Sequence, residues 1–166
     1  MIRRLALALS LLPLLASCAL RPIYAGGAGG PVASSLAAIS VAPIPDRAGW
    51  LMRNALVDRL GGENEGAAYR LEVNLDDDIS SYGIRGDRSV TRERRTLRAR
   101  YRLVRASNGL VLLDATAGSD VGIDVVSSPY ATVAAEQTAL ERLSKVVADQ
   151  IVARLALYAL SRPIGS

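Results

Sequence analysis

TRERRTLRARYRLVR, residues 91–105, is the stretch on which the fold turns. Its even positions read Arg92, Arg94, Thr96, Arg98, Arg100 and Arg102. Its odd positions include Leu97, Ala99, Tyr101 and Leu103. Successive side chains of a strand point to opposite faces. The alternation therefore predicts one strand with an arginine-lined face and an apolar face that enters the core. Arg95 and Arg105 fall on the apolar side, near its ends.

The same period recurs on both sides. Tyr69, Leu71, Val73 and Leu75 alternate with Arg70, Glu72 and Asn74, which predicts a half-buried strand. Residues 110–121 predict another, reached through an Asn108-Gly109 hairpin turn. Leu36 to Ala42 reads as a first strand, stopped by Pro43 and Pro45. Two stretches change period. Met52, Ala55, Leu56 and Leu60 predict a helix over 47–60, with Asp46 as its N-cap and Gly61-Gly62 as its end. Leu140, Leu143, Val147, Ile151, Leu155 and Tyr158 recur at steps of three or four. They predict a long helix opened by Ser128-Pro129 and running to about Leu160.

The element order is β-α-β-β-β-α. The strand–helix–strand start favours parallel pairing and the hairpin-linked strands an antiparallel meander. Each helix has one apolar stripe and each strand one apolar face. The expected fold is α+β, a two-layer sandwich: a four-stranded mixed sheet with both helices packed on one face. The opposite face of the sheet is left free.

That free face carries Arg92, Arg94, Arg98, Arg100 and Arg102. Like charges at alternate positions repel, so the row needs anions or acidic side chains nearby. One reading is a solvated face neutralised by Asp76, Asp77, Asp78 and Asp114. The other is a docking surface for phosphate or carboxylate, which guanidinium groups bind bidentately.

The amino-terminal residues supply a location. Met1-Ile2-Arg3-Arg4 is basic, and an apolar run from Leu5 to Leu15 follows, shorter than the 20 or so residues a bilayer span needs. Leu15-Ala16-Ser17-Cys18 resembles the bacterial lipobox, and Cys18 is the only cysteine in the chain. The reading is a signal peptide over 1–17 and a diacylglycerol on Cys18. Two or more acyl chains make a stable anchor. Residues 18–35 contain Ala25-Gly26-Gly27-Ala28-Gly29-Gly30 and read as a flexible tether. A single domain is expected over 36–162, with 163–166 as a tail. Ala19, rather than Asp, follows the cysteine and leans toward the outer membrane. Loss of Arg3 and Arg4 lowers the formal charge from +4 to +2, so any strongly basic character is local. Nucleic acid is a poor partner in that compartment.

Composition argues against catalysis. The chain has no His and therefore lacks the commonest general base and metal ligand. No nucleophile elbow, phosphate loop or paired metal ligands occur. Asp76-Asp77-Asp78 would point to alternate faces of a strand and does not converge on one ion. No cofactor, metal or catalytic residue is expected.

Taken in order, several short motifs carry a family resemblance. Arg21-Pro22-Ile23-Tyr24 is similar to an Arg-Pro-Leu-Tyr motif after the lipidated cysteine. Asp46-Arg47, followed by Leu51, Arg53-Asn54 and Leu56, resembles a characteristic helix. Tyr69-Arg70-Leu71 and Tyr101-Arg102-Leu103 resemble strand starts, and Ser128-Pro129-Tyr130-Ala131 a last-helix entry. Together the chain resembles the LptE family of lipopolysaccharide-assembly lipoproteins, in its alphaproteobacterial form. The resemblance implies a non-enzymatic subunit of the outer-membrane lipopolysaccharide translocon. It would sit in, and help assemble, a β-barrel partner of the LptD type, and bind lipopolysaccharide. The arginine row would then face the barrel lumen or lipopolysaccharide phosphates. The alternative function is a general outer-membrane lipoprotein with an envelope-structural or peptidoglycan-binding role.

Overall fold

The computed structural model describes residues 30–64, 66–84 and 90–161. Cys18, the signal segment, most of the tether, residues 85–89 between two predicted strands and the carboxyl-terminal tail lie outside the described residues. The described elements run in the order α1 (Pro31–Ala37), β1 (Ile39–Val41), α2 (Asp46–Leu60), β2 (Tyr69–Ile84), β3 (Val90–Arg105), β4 (Val111–Asp124) and α3 (Pro129–Ser161). The sheet is mixed, ordered β1-β2-β3-β4, with β1 parallel to β2 and the other pairs antiparallel. The α+β architecture expected from the sequence is the one observed.

The odd face of β3 enters the core as expected. Leu97, Ala99, Tyr101 and Leu103 are buried, with Leu71 and Val73 beside them on β2. Met52, Leu56 and Leu60 of α2, and Leu143, Val147, Ile151 and Leu155 of α3, cover them. A helix rises about 1.5 Å per residue, so 15-residue α2 is about 22 Å long and 33-residue α3 about 50 Å. A 16-residue strand spans about 53 Å. Thus α3 runs the length of the sheet, whereas α2 reaches along only the part beside β1.

Three local features differ from the sequence reading. First, residues 31–37 form a helix, and β1 is three residues rather than the seven of Leu36 to Ala42. Pro31 opens that helix, and Val32 and Leu36, four apart, bury against the core. This helix therefore occupies residues 31–35 of the stretch expected to be tether. Second, Pro45, not Asp46, occupies the N-cap of α2. Asp46 is in the first turn, where a carboxylate meets the positive end of the helix dipole. Third, only Gly109 takes a left-handed φ, +70°, in the β3–β4 connection. A two-residue I′ turn requires two such residues, so the loop is wider. It is held by Arg105 N–H on Leu110 O and by Leu110 N–H on Asn108 Oδ1, at 2.9 and 3.1 Å.

The distal half of the sheet is fastened to α3 by Arg95. Its side chain turns to the helix side, grips the Asp77 carboxylate from across the strand pair, and donates to Glu136 O of α3 at 2.8 Å. The Arg95 and Asp77 side chains are 12% and 21% exposed. Hydrogen bonding to Asp77 is the main force that raises the Arg95 pKa, against the opposing pull of burial. Truncating one partner of such a pair leaves the other charge half-buried and unpaired. Arg95→Ala is therefore expected to cost about 1–3 kcal/mol in urea unfolding, and Arg95→Lys, which cannot form the fork, to recover only part of it.

A charge-balanced sheet face as the candidate functional site

The face of the sheet away from the helices is built from the even positions of β2, β3 and β4. Among the described residues it carries six arginines: Arg70, Arg92, Arg94, Arg98, Arg100 and Arg102. It carries as many carboxylates: Glu72, Asp76, Asp78, Asp114, Asp120 and Asp124. The five residues of the predicted row do share this face, and all are exposed.

Four of the five have carboxylate partners. Arg100 forks onto Asp114 through Nε and Nη2, at 3.2 and 2.9 Å. Arg102 donates to Glu72 at 2.9 Å, and Arg70 shares the same carboxylate. Arg92 meets Asp124 at 3.2 Å and Arg94 meets Asp120 at 3.7 Å. Hydrogen bonding from Arg100 is the leading reason that the Asp114 pKa falls below its ordinary value, and the same fork raises that of Arg100. The Arg70 hydrogen bond does the same to Glu72, assisted by Arg102. Arg94 also lies over the Tyr82 ring, 5.4 Å from its centroid. The sequence anticipated Asp114. Glu72, Asp120 and Asp124 depend on strand register and were not visible in it. Asp77 serves Arg95 on the other face instead of the row.

Arg98 is the exception. Among the described residues it has no ion pair. Its register neighbours are Asp76 on β2 and Gly118 on β4. Gly118 offers no side chain, and the Arg98 stem lies across it: a Cβ there would sit 3.4 Å from Arg98 Cγ and 3.2 Å from Leu97 O. The result is an open cleft of about 610 Å³ whose lining includes Asp76, Thr96, Arg98, Arg100, Thr116 and Gly118. It holds one uncommitted guanidinium beside one exchangeable pair. Asp76 and Asp78 face this side while Asp77 faces the helices, so the acidic run does not gather into a cation site. No group of potential metal ligands occurs among the described residues. No helix among them is long and apolar enough to cross a membrane.

Known proteins give this geometry a context. The chain resembles a putative lipoprotein from Caulobacter crescentus CB15 at 28% identity, over 80% of this chain and 98% of that one, with a TM-score of 0.68. It shares its fold with a minor lipoprotein from Acinetobacter baumannii (13% identity; 72% and 90% of the two chains; TM-score 0.56). The rare lipoprotein B from Shewanella oneidensis has the fold as well (11% identity; 74% and 96%; TM-score 0.52). No curated protein matches by sequence. The LptE family, described as lipopolysaccharide-assembly, matches residues 36–155, which include β1 through most of α3. By that match the chain belongs to the LptE family of non-enzymatic lipopolysaccharide-assembly lipoproteins.

Proposed function

We propose that this lipopolysaccharide-assembly lipoprotein is held on the outer membrane by acyl chains on Cys18. There it plugs, and helps assemble, a β-barrel partner of the LptD type. The arginine-bearing face meets either the polar lumen of that barrel or the phosphates of lipopolysaccharide. The observation that carries the reading is the uncovered sheet face, on which Arg98 is the one guanidinium without an ion pair among the described residues. An arriving phosphate finds Arg98 without having to displace a carboxylate. It can then draw Arg100 from Asp114, since a solvent-exposed ion pair adds little stability. A barrel lumen, polar and often charged, suits the same mosaic.

Charge reversal at Arg98 and Arg100 tests this. Both side chains are exposed, so the double variant Arg98→Glu/Arg100→Glu should fold with stability close to that of the parent. Its lipopolysaccharide binding, or its yield of co-purified barrel from detergent-solubilised membranes, should fall about tenfold or more. Normal recovery of both removes the row from the site. Absence of any stoichiometric barrel partner from the parent protein favours an envelope-structural role instead.

A further inference from the structure

Two long strand edges bound the sheet, and they are treated differently. On β4, the edge-facing N–H of Gly118 donates to Gln150 Oε1 of α3 at 3.2 Å, so the long helix caps that margin at its middle. On β2, strand pairing ends early, and beyond it the 42–48 segment lines open clefts beside Val73, Leu75 and Asp77. β1 pairs only with Tyr69 to Leu71, and the chain leaves after Ala42 N–H meets Leu71 O at 2.9 Å. Tyr69 N–H points to Ala38 O, so the odd residues of β2 turn their backbone groups toward this edge. The register with β3 is unbroken from Tyr69↔Arg105 to Tyr82↔Arg92, which keeps that orientation through Val73, Leu75, Asp77, Ile79 and Ser81. Among the described residues, the edge-facing groups of those five have no backbone partner.

An unpaired edge of this length is a template for another strand, and proteins normally blunt it with Pro, a bulge or charged side chains. Residues 72–81 contain no Pro and no bulge, and the charge that guards them is acidic, which repels acidic strands and leaves basic ones admissible. Their sheet-face side chains give the edge a sign. Asp76 and Asp78 are exposed and have no ion pair among the described residues, while Glu72 is already shared by Arg70 and Arg102. Side chains on an added strand would lie about 4.5–5.5 Å from them. A second copy fits poorly. Its β2 edge would bring Asp76 and Asp78, and its β4 edge carries Asp114, Asp120 and Asp124 on that face.

We propose that the β2 edge from Leu75 to Ser81 takes up an extended segment of a partner protein as a fifth strand, one with Arg or Lys at alternate positions. Main-chain hydrogen bonds supply the attachment, and Asp76 and Asp78 select the basic side chains. This site adjoins the arginine row, since Asp76 also lines the Arg98 cleft, but it stands whether or not the partner is a barrel.

The probe is a fluorescent synthetic peptide alternating Arg and Val, compared with one of the same composition in two blocks. Each is titrated into the full-length protein in detergent and followed by anisotropy. The alternating peptide should bind about tenfold more tightly. Ile79→Pro removes an edge-facing N–H without breaking a β2–β3 bond and should lower affinity about tenfold with the far-ultraviolet spectrum retained. Thr116→Pro, on the opposite edge, should leave binding unchanged. Asp76→Asn/Asp78→Asn, which leaves the backbone intact, should weaken binding about threefold and flatten its salt dependence. Equal affinity for the two peptides, or full affinity in both the Ile79→Pro and the Asn variants, overturns the proposal. So does a concentration-dependent dimer lost on Ile79→Pro, which would make a second copy the occupant.

Discussion

Tyr101→Ala is expected to lower the unfolding free energy by about 3–5 kcal/mol, the range for truncating a large buried aromatic. No Phe exists in the chain, and Tyr101 is the largest of the fully buried side chains, 2% exposed at the centre of β3. Its register neighbours are Val73 and Ala115, both smaller, so nothing beside it can swing in to fill the space. Tyr101 lines a cleft shared with Gln150 and Arg154, and its hydroxyl makes no hydrogen bond among the described residues. Burial pushes the Tyr101 phenol pKa upward, and Arg154 partly offsets this. Tyr101→Phe should therefore unfold within about 1 kcal/mol of the parent. Urea denaturation of the two variants separates ring packing from the hydroxyl. A Phe variant as unstable as the Ala one would show that the hydroxyl, not the ring, holds the core.

Gly49→Ala should cost about 3 kcal/mol, at the upper end of overpacking effects. Gly49 is buried in the first turns of α2, where the chain doubles back past Ile44. A Cβ there would lie 2.5 Å from Ile44 O and 2.8 Å from Ile44 Cγ2. The first contact is with backbone and cannot be relieved by a rotamer change. In an exposed helix the same exchange would gain about 1 kcal/mol from helix propensity, so the expected sign is itself diagnostic. Thermal unfolding should show Tm lowered by about 10 °C. An unchanged or raised Tm would mean that α2 can shift away from the 42–45 loop without loss.

Legibility followed the side-chain period. The odd residues of β3 and the three-and-four spacing in α3 each repeat often enough to outvote a stray residue, and both elements fell close to where they were expected. The short pieces did not. In α1 a single i, i+4 pair, Val32 and Leu36, does the burying, and it adjoins a glycine run that reads as linker. The continuation of β2 through Asp76, Asp77 and Asp78 was obscured because three carboxylates look like the end of a strand. Their cost is met in two ways: Asp77 pairs with Arg95 beneath the sheet, and the other two face open solvent. The arginine row itself was readable, since it lies on one strand. Its neutralisation was not, because Arg92, Arg94 and Arg102 find Asp124, Asp120 and Glu72 only after β2 and β4 have set their registers.

Among the described residues one sheet face carries as many anions as cations, which makes its far field weak. Beyond a Debye length, about 8 Å at physiological ionic strength, an approaching anion would feel little pull from it. Capture there cannot be accelerated by long-range steering, which needs an unbalanced patch. Any selectivity of this surface must arise at contact, after the ligand has been delivered by other means. Its association rate should then vary little with salt, while its dissociation rate carries the discrimination.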